Sequence, residues 1–299
     1  MRSLNERTIT DEVLGRFSGA PDARLRQVME SLIRHLHEFA REVGLTPREW
    51  AKAIEFLTEL GHITDDKRQE FILLSDTLGL SALVDLIANR DKVKGATESS
   101  LLGPFYREGA PEIPTGANVA RDVEGEPLDI EGRVVSTAGE PIAGVLIDVW
   151  QAAPSGLYDV QFEDSTMNLR ARFRSDSEGR FAFKSVKPAS YPVPYDGPVG
   201  RMLNALGRHP YRPAHIHFKL SADGYRPLTT ALYIEGDKYL DSDAVFGSRA
   251  SLVVGYRKAT NGGRAKPDSI WFEFALEPEK SKAAKGQKPI PRSSSVRGK

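Results

Sequence analysis

The sequence predicts an α+β protein, with a helical N-terminal region followed by an antiparallel β-sandwich. In residues 1–105, apolar side chains recur at steps of three or four, which is the period of an amphipathic helix. In residues 106–279 they form short runs separated by Gly, Pro, Asp and Ser, with few helical signals between the runs. Residues 280–299 hold seven basic side chains, serines and two prolines, so we expect a disordered basic tail there.

The helices of the first region can be placed from their apolar faces and their ends. One is predicted over residues 23–43, where five apolar side chains share a face: Leu25, Val28, Leu32, Leu36 and Phe39. A second begins at Thr46, with Pro47 in its first position and Glu49 three residues after the cap, and it runs to about Leu60.

A further helix is predicted to start at Asp65 and Asp66, because acidic residues suit the first turn of a helix. It continues through the apolar residues 70–74 and is ended by Gly79. Residues 81–90 repeat the helical pattern.

The strands of the second region are predicted from short β-rich runs bounded by turn residues. They cover residues 128–135, 145–150, 180–183, 216–220, 228–234, 252–255 and 270–275. Because helical signals between these runs are scarce, antiparallel pairing is favoured over a parallel sheet.

Composition excludes several kinds of function. The 299 residues include no cysteine, which rules out disulfides, zinc–thiolate sites, iron–sulfur clusters and thiol nucleophiles. The formal charge of zero gives no electrostatic case for nucleic acid or an anionic membrane as a partner. The sequence holds no P-loop and no Gly-x-Gly-x-x-Gly after a strand. With no signal peptide or long apolar segment, we expect a cytoplasmic protein.

Two histidines, His215 and His217, stand two residues apart in a predicted strand. Side chains at i and i+2 of a strand point to the same face, so both imidazoles can reach one metal ion. His35 and His37 have the same spacing in a predicted helix, where two steps send them to different sides, and we expect surface or partner-contact roles for them. Without cysteine, any metal here must take nitrogen and oxygen ligands. A zinc hydrolase that adds an acidic ligand is one alternative.

Two tyrosines, Tyr158 and Tyr191, lie just beyond predicted strands, although composition alone does not select them from the nine in the chain. Their flanks are Gly156-Leu157-Tyr158 and Pro188-Ala189-Ser190-Tyr191, and they are followed by the segment Arg212-Pro213-Ala214-His215-Ile216-His217. Tyr191 lies 33 residues after Tyr158, and His215 lies 24 residues after Tyr191. In these motifs and spacings the chain resembles the intradiol ring-cleaving dioxygenases over almost its whole length.

The resemblance implies a non-haem Fe(III) ion, one per subunit, bound by Tyr158, Tyr191, His215 and His217. Phenolate oxygen is a hard anionic donor that suits ferric iron. Tyr191 is implied to leave the metal and take a substrate proton, whereas Tyr158 stays bound. Arg212 is implied to stabilise developing negative charge, with a surface arginine as the alternative.

The family's substrate-facing positions correspond to Leu73, Asp76, Leu101, Leu102, Gly103, Pro104, Phe105, Val193, Pro194, Arg212 and Val245. For the apolar ones, ordinary core packing is the alternative. Asp76 could accept a hydrogen bond from an additional substrate hydroxyl or could cap a helix.

Residues 191–200, 207–210 and 236–247 most resemble the hydroxyquinol branch of the family, with catechol and substituted catechols as alternative substrates. Two positions depart from the family pattern. Ala231 stands where many relatives have glutamine, and Ala153 precedes Pro154 where an asparagine is common. Both changes remove a polar group expected near the metal, and they put the rate and the substrate range in doubt.

The resemblance also implies a homodimer formed through the N-terminal helices, with a phospholipid-like molecule between the subunits. The apolar stripe from Leu25 to Phe39 could make that contact or could pack on the β domain, because one amphipathic face needs only one partner. A more distant alternative is a transthyretin-like sandwich that binds aromatic compounds without catalysis.

Overall fold

The fold was analysed in a computed structural model that describes residues 4–162, 166–258, 260–261, 264–265 and 267–279. The chain separates into two compact units, one ending at His62 and the other beginning at Ile63. The predicted tail at residues 280–299 lies outside the described residues.

The helical N-terminal region predicted from periodicity is present. The described residues form the helices α1 Ile9–Gly15, α2 Ala23–Glu42, α3 Pro47–Ile63, α4 Glu70–Thr77, α5 Leu80–Asn89 and α6 Pro198–Ala205. The predicted start of α3 is confirmed in detail. The backbone N–H of Thr46 donates to the Glu49 carboxylate at 2.9 Å, and the N–H of Glu49 donates to the Thr46 hydroxyl at 3.3 Å.

One helical prediction was wrong in detail, and one short helix was not predicted. Asp65 does not begin a helix: its carboxylate accepts from the backbone N–H groups of Lys67 and Arg68 at 2.8 and 2.7 Å, which closes a turn, and α4 starts only at Glu70. The short helix α6 was missed, although Pro198 at its first turn is a recognised start signal.

The described strands are β1 Pro127–Ser136, β2 Leu146–Gln151, β3 Arg170–Arg174, β4 Arg180–Val186, β5 Tyr191–Pro192, β6 Tyr211–Arg212, β7 His215–Ser221, β8 Leu228–Ile234, β9 Val253–Val254, β10 Thr260–Asn261, β11 Arg264–Ala265 and β12 Asp268–Leu276. All seven predicted strands are found. The strand β3 was not predicted, because its alternating arginines look like an exposed segment.

Two sheets form the sandwich, a five-stranded one in the order β3-β2-β7-β8-β9 and a three-stranded one in the order β12-β1-β4. Most neighbours pair antiparallel, as predicted. However, β1 pairs parallel with β12, and β8 pairs parallel with β9. These are strands joined by long connections, which allow the parallel direction where a tight hairpin would not.

The hydrophobic core lies between the sheets and takes alternate residues from their strands. On β7, Ile216, Phe218 and Leu220 are buried in this core with residues of β1, β4 and β12. His215 and His217 therefore project from the opposite face of the same strand. This face is where the functional side chains gather.

Among the described residues, no single helix has the length and apolar composition needed to cross a bilayer. The bent pair of α4 and α5, which meet at 72°, passes that test of length and composition.

The tight packing of β1 gives a stability prediction. A Cβ atom at Gly132 would lie 2.5 Å from both the Phe181 ring and the Phe272 carbonyl oxygen, so Gly132→Ala should destabilise the protein by about 1–3 kcal/mol. A Cβ atom at Gly61 in α3 would have no atom within 4 Å, so Gly61→Ala should stabilise by about 0.5–1 kcal/mol. Denaturant unfolding of both variants measures these changes, and equal effects of the two would contradict this packing.

Candidate metal centre

The strand β7 places two imidazoles side by side. His215 Nε2 and His217 Nε2 lie 3.0 Å apart, and both residues are 2% exposed. His215 Nδ1 lies 2.7 Å from the carbonyl oxygen of Pro213, to which it donates its proton. The lone pair of His215 is therefore on Nε2, on the side that faces His217.

Two phenols reach the same point from loops. Tyr158 follows β2, and Tyr191 begins β5, where it pairs with Arg212. The Tyr158 hydroxyl lies 3.2 Å from the Tyr191 hydroxyl and 3.3 Å from His215 Nε2. Gly156 makes this approach possible, because a Cβ atom there would lie 2.8 Å from the Tyr191 Cβ.

The four donor atoms fit a single metal ion. Successive donors from Tyr191 through Tyr158 and His215 to His217 are 3.0 to 3.3 Å apart. Donors that each sit roughly 2 Å from one ion are separated by about 3 Å. Within the described part of the chain, no three His, Cys, Asp or Glu side chains form a metal-binding group, and the donor set here is two phenols and two imidazoles.

Burial governs protonation in this cluster. It lowers the pKa of His215 to about 3 and that of His217 well below its ordinary value, with the Arg212 charge adding to both shifts. Both rings are therefore neutral, as metal ligation requires. Burial also raises the pKa of Tyr158 and Tyr191, so two phenolates here need a cation beside them. Hard oxygen donors with neutral imidazoles suit a ferric ion.

The guanidinium of Arg212 lies beside the cluster and is 3% exposed. Its Nη1 lies 3.1 Å from His215 Nε2, and its Nε and Nη2 donate to the two Asp243 oxygens at 3.1 and 3.2 Å. Burial opposes the charge, but Asp243 together with Tyr191 and Tyr233 outweighs it and holds the pKa of Arg212 well above its ordinary value. Arg212 thus remains a fixed cation at the site.

Neighbouring strands determine what surrounds His217. Trp150 on β2 stacks on its ring at 4.8 Å, with 4° between the planes. Ala231 on β8 is its register partner on the other side and is fully buried. Among the described residues, His217 Nδ1 is buried without a hydrogen-bond partner, and the methyl group of Ala231 offers none. The departure noted at position 231 therefore lies directly beside a proposed metal ligand.

A cavity of about 650 Å³ opens onto Tyr191. Of the predicted substrate-facing residues, it is lined by Leu73, Pro104, Phe105, Val193 and Pro194. A larger cavity, of about 830 Å³, includes none of the four donor side chains in its lining. Of the two, the smaller cavity is therefore the one next to the donor cluster.

The other predicted pocket residues divide into three groups. Gly103 lies against the donor cluster, since a Cβ atom there would be 3.7 Å from the His217 ring. Asp76, Leu101 and Val245 are buried but do not line the 650 Å³ cavity. Leu102 is 41% exposed and is not among the residues that line the 650 Å³ cavity.

Asp76 on α4 carries a buried carboxyl group near the ion pair of Arg212 and Asp243. Burial raises its pKa above the ordinary value of 3.8, while Ser81 and Arg212 partly oppose the shift. The Asp76 carboxyl therefore lies within electrostatic range of Arg212 and Asp243.

Sequence reasoning missed three residues that support the site. They are Asp243, Tyr233 and Ser100. Asp243 accepts hydrogen bonds from Arg212. The Tyr233 hydroxyl lies 3.4 Å from Arg212 Nη2 and 2.8 Å from the Ser100 hydroxyl. The sequence offered one clue, the place of Asp243 in the segment 236–247, but acidic residues are common in loops.

Comparisons with known proteins agree with this geometry. Residues 101–278 match the family described as Dioxygenase, and residues 22–96 match the one described as Catechol dioxygenase N terminus. The chain belongs to the intradiol ring-cleaving dioxygenase family. As an intradiol dioxygenase it is an oxidoreductase.

Among its relatives, the 6-chlorohydroxyquinol 1,2-dioxygenase of Cupriavidus pinatubonensis is 47% identical, over 93% of this chain and 99% of that protein. The Catechol 1,2-dioxygenase of Candida albicans is 36% identical, over 80% of each. A solved Hydroxyquinol 1,2-dioxygenase from Pseudomonas putida DLL-E4 superposes with a TM-score of 0.85 at 47% identity, over 92% of this chain and 99% of that one. The predicted α+β fold of this intradiol dioxygenase is confirmed.

The raised pKa of Asp76 predicts a pH-dependent stability cost. Its carboxyl ionises near pH 3.8 in the unfolded chain and at higher pH in the folded one, so ionisation favours unfolding as pH rises. Asp76→Asn should match the wild-type melting temperature at pH 3.5 and exceed it at pH 7. Thermal unfolding across this range measures the difference, and a wild type more stable than the variant at pH 7 would contradict the assignment.

Proposed function

We propose that the protein cleaves the ring of hydroxyquinol (1,2,4-trihydroxybenzene) with O2 between its two adjacent hydroxyl-bearing carbons, giving 3-hydroxy-cis,cis-muconate and its tautomer maleylacetate. The observation that carries the proposal is the convergence of two phenols and two neutral imidazoles beside a fixed guanidinium. Both oxygen atoms of O2 enter the product, and no external electron donor is required.

The proposed cofactor is one non-haem Fe(III) ion per subunit, held by Tyr158, Tyr191, His215 and His217. When bound, it would withdraw electron density from the aromatic diolate and make the ring reactive towards O2. The negative charges of two tyrosinates would offset most of its positive charge. This attraction would in turn offset the free-energy cost of ionising two buried phenols. The neutral state of both histidines leaves their Nε2 lone pairs available.

Tyr191 and Arg212 are the proposed catalytic residues. Burial raises the pKa of the Tyr191 phenol, and the Arg212 charge and a hydrogen bond from it oppose that rise only in part, so the phenolate depends on a bound cation. Tyr191 also faces the 650 Å³ cavity, which gives it access to a substrate proton. Arg212, held by Asp243, presents a permanent cation to negative charge that develops on the substrate.

The substrate proposal rests on Asp76 and on the relatives. A third ring hydroxyl near Asp76 would donate to a buried carboxylate, an interaction that catechol lacks. The relatives named for hydroxyquinol or a chlorinated hydroxyquinol are 47% identical, whereas the catechol relative is 36% identical. Catechol or a substituted catechol is the second candidate substrate. It is favoured by Ala231 and Ala153, which replace the glutamine and asparagine common in the family and so remove polar groups near the proposed metal.

The remaining pocket residues are proposed to shape the ring site through apolar contact. They are Leu73, Leu101, Leu102, Gly103, Pro104, Phe105, Val193, Pro194 and Val245. Support is strongest for Leu73, Pro104, Phe105, Val193 and Pro194, which line the cavity next to Tyr191. In this proposal, residues 1–105 combine association with part of the pocket, and residues 106–279 carry the metal site.

We also propose that the enzyme is a homodimer in which a second copy of the chain covers α2, with a lipid molecule bound between the subunits. Five side chains on one face of α2 support this, each exposed by 44 to 55%: Leu25, Val28, Leu32, Leu36 and Phe39. A continuous apolar stripe of this size is typical of a protein interface.

The metal proposal predicts a coloured protein. Ferric tyrosinate absorbs visible light, so the iron-loaded protein should be red-brown and should consume one O2 per diol cleaved. Tyr158→Phe and Tyr191→Phe should each weaken the band, while Tyr225→Phe, outside the cluster, serves as the matched control and should leave it unchanged. Absorption spectra and oxygen uptake measure both effects. A colourless, inactive protein after iron loading would reject the proposal. That result would favour the alternative of a transthyretin-like module that binds aromatic compounds without catalysis.

The substrate proposal predicts a change in selectivity. Asp76→Leu should lower kcat/KM for hydroxyquinol by about 10–100-fold, the loss expected for one buried hydrogen bond, and change that for catechol by less than about threefold. Asp85→Leu, on α5, is the control for removal of a helical acid. Initial rates on both diols measure the ratio. A wild type that prefers catechol, or an equal loss on both diols, would count against hydroxyquinol recognition by Asp76.

A further inference from the structure

An arginine on β3 is buried among residues that otherwise form the interior of the sheet. Arg170 is 2% exposed, and its neighbours on the strand, Ala171 and Phe173, belong to the hydrophobic core. Its Nε and Nη2 donate to the two carboxylate oxygens of Asp159 at 2.9 and 2.6 Å. Nη2 also donates to the carbonyl oxygen of Phe105 at 2.8 Å. One guanidinium therefore ties together three separate segments.

Both segments held by Arg170 lead directly to Tyr158. Asp159 is the next residue in the chain and is 3% exposed, and the backbone N–H of Val160 also donates to its carboxylate at 2.9 Å. The Phe105 ring stacks on the Tyr158 ring, with 4.7 Å between centroids and 25° between planes. Arg170 thus fixes the backbone beside the phenol and the ring that packs on its face.

Stability alone does not explain this ion pair. Burying two charges costs much of what their attraction returns, and a buried pair can often be replaced by apolar residues without loss of stability. Within the described residues, Arg170 Nη1 is buried without a hydrogen-bond partner, which adds to that cost. What the pair supplies is a defined geometry, since a guanidinium and a carboxylate joined by two parallel bonds permit little rotation.

Tyr191 has a different environment. It lines the 650 Å³ cavity, which gives its side chain room to move, whereas Tyr158 is absent from that lining and is stacked against Phe105. Its strand β5 contains only two residues. The hydroxyl oxygens of the two phenols lie 3.2 Å apart. The Tyr158 side chain is nevertheless held more rigidly than that of Tyr191.

We propose that Arg170 is a positioning residue that, through Asp159 and Phe105, immobilises the Tyr158 phenol and so makes Tyr158 the tyrosine that stays on the metal when Tyr191 leaves. This inference rests on the proposed function. It assigns the asymmetry between the two tyrosines to a buried ion pair that touches neither the metal nor the substrate.

The test replaces the pair with apolar residues, Arg170→Met together with Asp159→Leu, so that neither buried charge is left without the other. Arg107, which also donates to Asp159 at 3.3 Å, has a side chain that is 26% exposed and can be solvated by water. Arg172→Met is the matched control, because Arg172 lies two positions along the same strand and its Nε also donates to a carbonyl oxygen, that of Ala110, at 2.6 Å. Three quantities are measured on iron-loaded protein: the visible tyrosinate band, the rate of iron release to a chelator, and the melting temperature.

The double variant should release iron at least about tenfold faster than the wild type and show a shifted or weakened band, while Arg172→Met behaves as the wild type. Phe105→Leu, which removes the stacked ring and leaves the backbone carbonyl, should act in the same direction if the double variant folds poorly. In a Tyr158→Phe background the double variant should add little, because the group that it positions is gone.

Release rates and spectra within twofold of wild type in both the double variant and Phe105→Leu would overturn the inference. So would an equal effect of Arg172→Met, or an undiminished effect in the Tyr158→Phe background, since either indicates general destabilisation. A wild type that never shows the tyrosinate band would remove the proposed function and this inference together, which distinguishes the two failures.

Discussion

The site depends on the two-residue side-chain period of a single buried strand. On β7, Ile216 and Phe218 face the core between the sheets, which leaves His215 and His217 on the other face, 3.0 Å apart at their Nε2 atoms. A slip of one residue against β2 or β8 would turn both imidazoles into the core and expose apolar side chains, so hydrophobic burial enforces the position of the two proposed ligands. The same register places Trp150 and Ala231 beside His217.

Desolvation then determines the chemistry of the groups that this register brings together. It keeps both imidazoles neutral and makes two phenols difficult to ionise, so the cluster carries little charge until a cation joins it. Arg212 is the exception, and it stays charged because Asp243 accepts from two of its nitrogens. Backbone N–H groups at Gly247 and Val245 hold Asp243 in turn, at 2.9 and 3.3 Å. Positive charge is thereby fixed at one side of the cluster.

Patterns with a simple period were readable from the sequence, and contacts between distant segments were not. The helix start at Thr46, the seven strands and the shared face of His215 and His217 each follow from local chemistry. The tyrosines were selected only through family resemblance, because no local pattern separates them from seven others. Asp243 and Arg170 act through partners 31 and 11 residues away, and the arginines of β3 concealed a buried strand. Exposure of Leu102 likewise depends on tertiary packing.

Four donor atoms from three segments are proposed to share one ferric ion, and anomalous diffraction at the iron edge from crystals of the iron-loaded protein tests this arrangement. We expect one iron peak per chain, bonded to the phenol oxygens of Tyr158 and Tyr191 and to Nε2 of His215 and His217. Iron bound elsewhere, or bound by the histidines without either phenol, would contradict it.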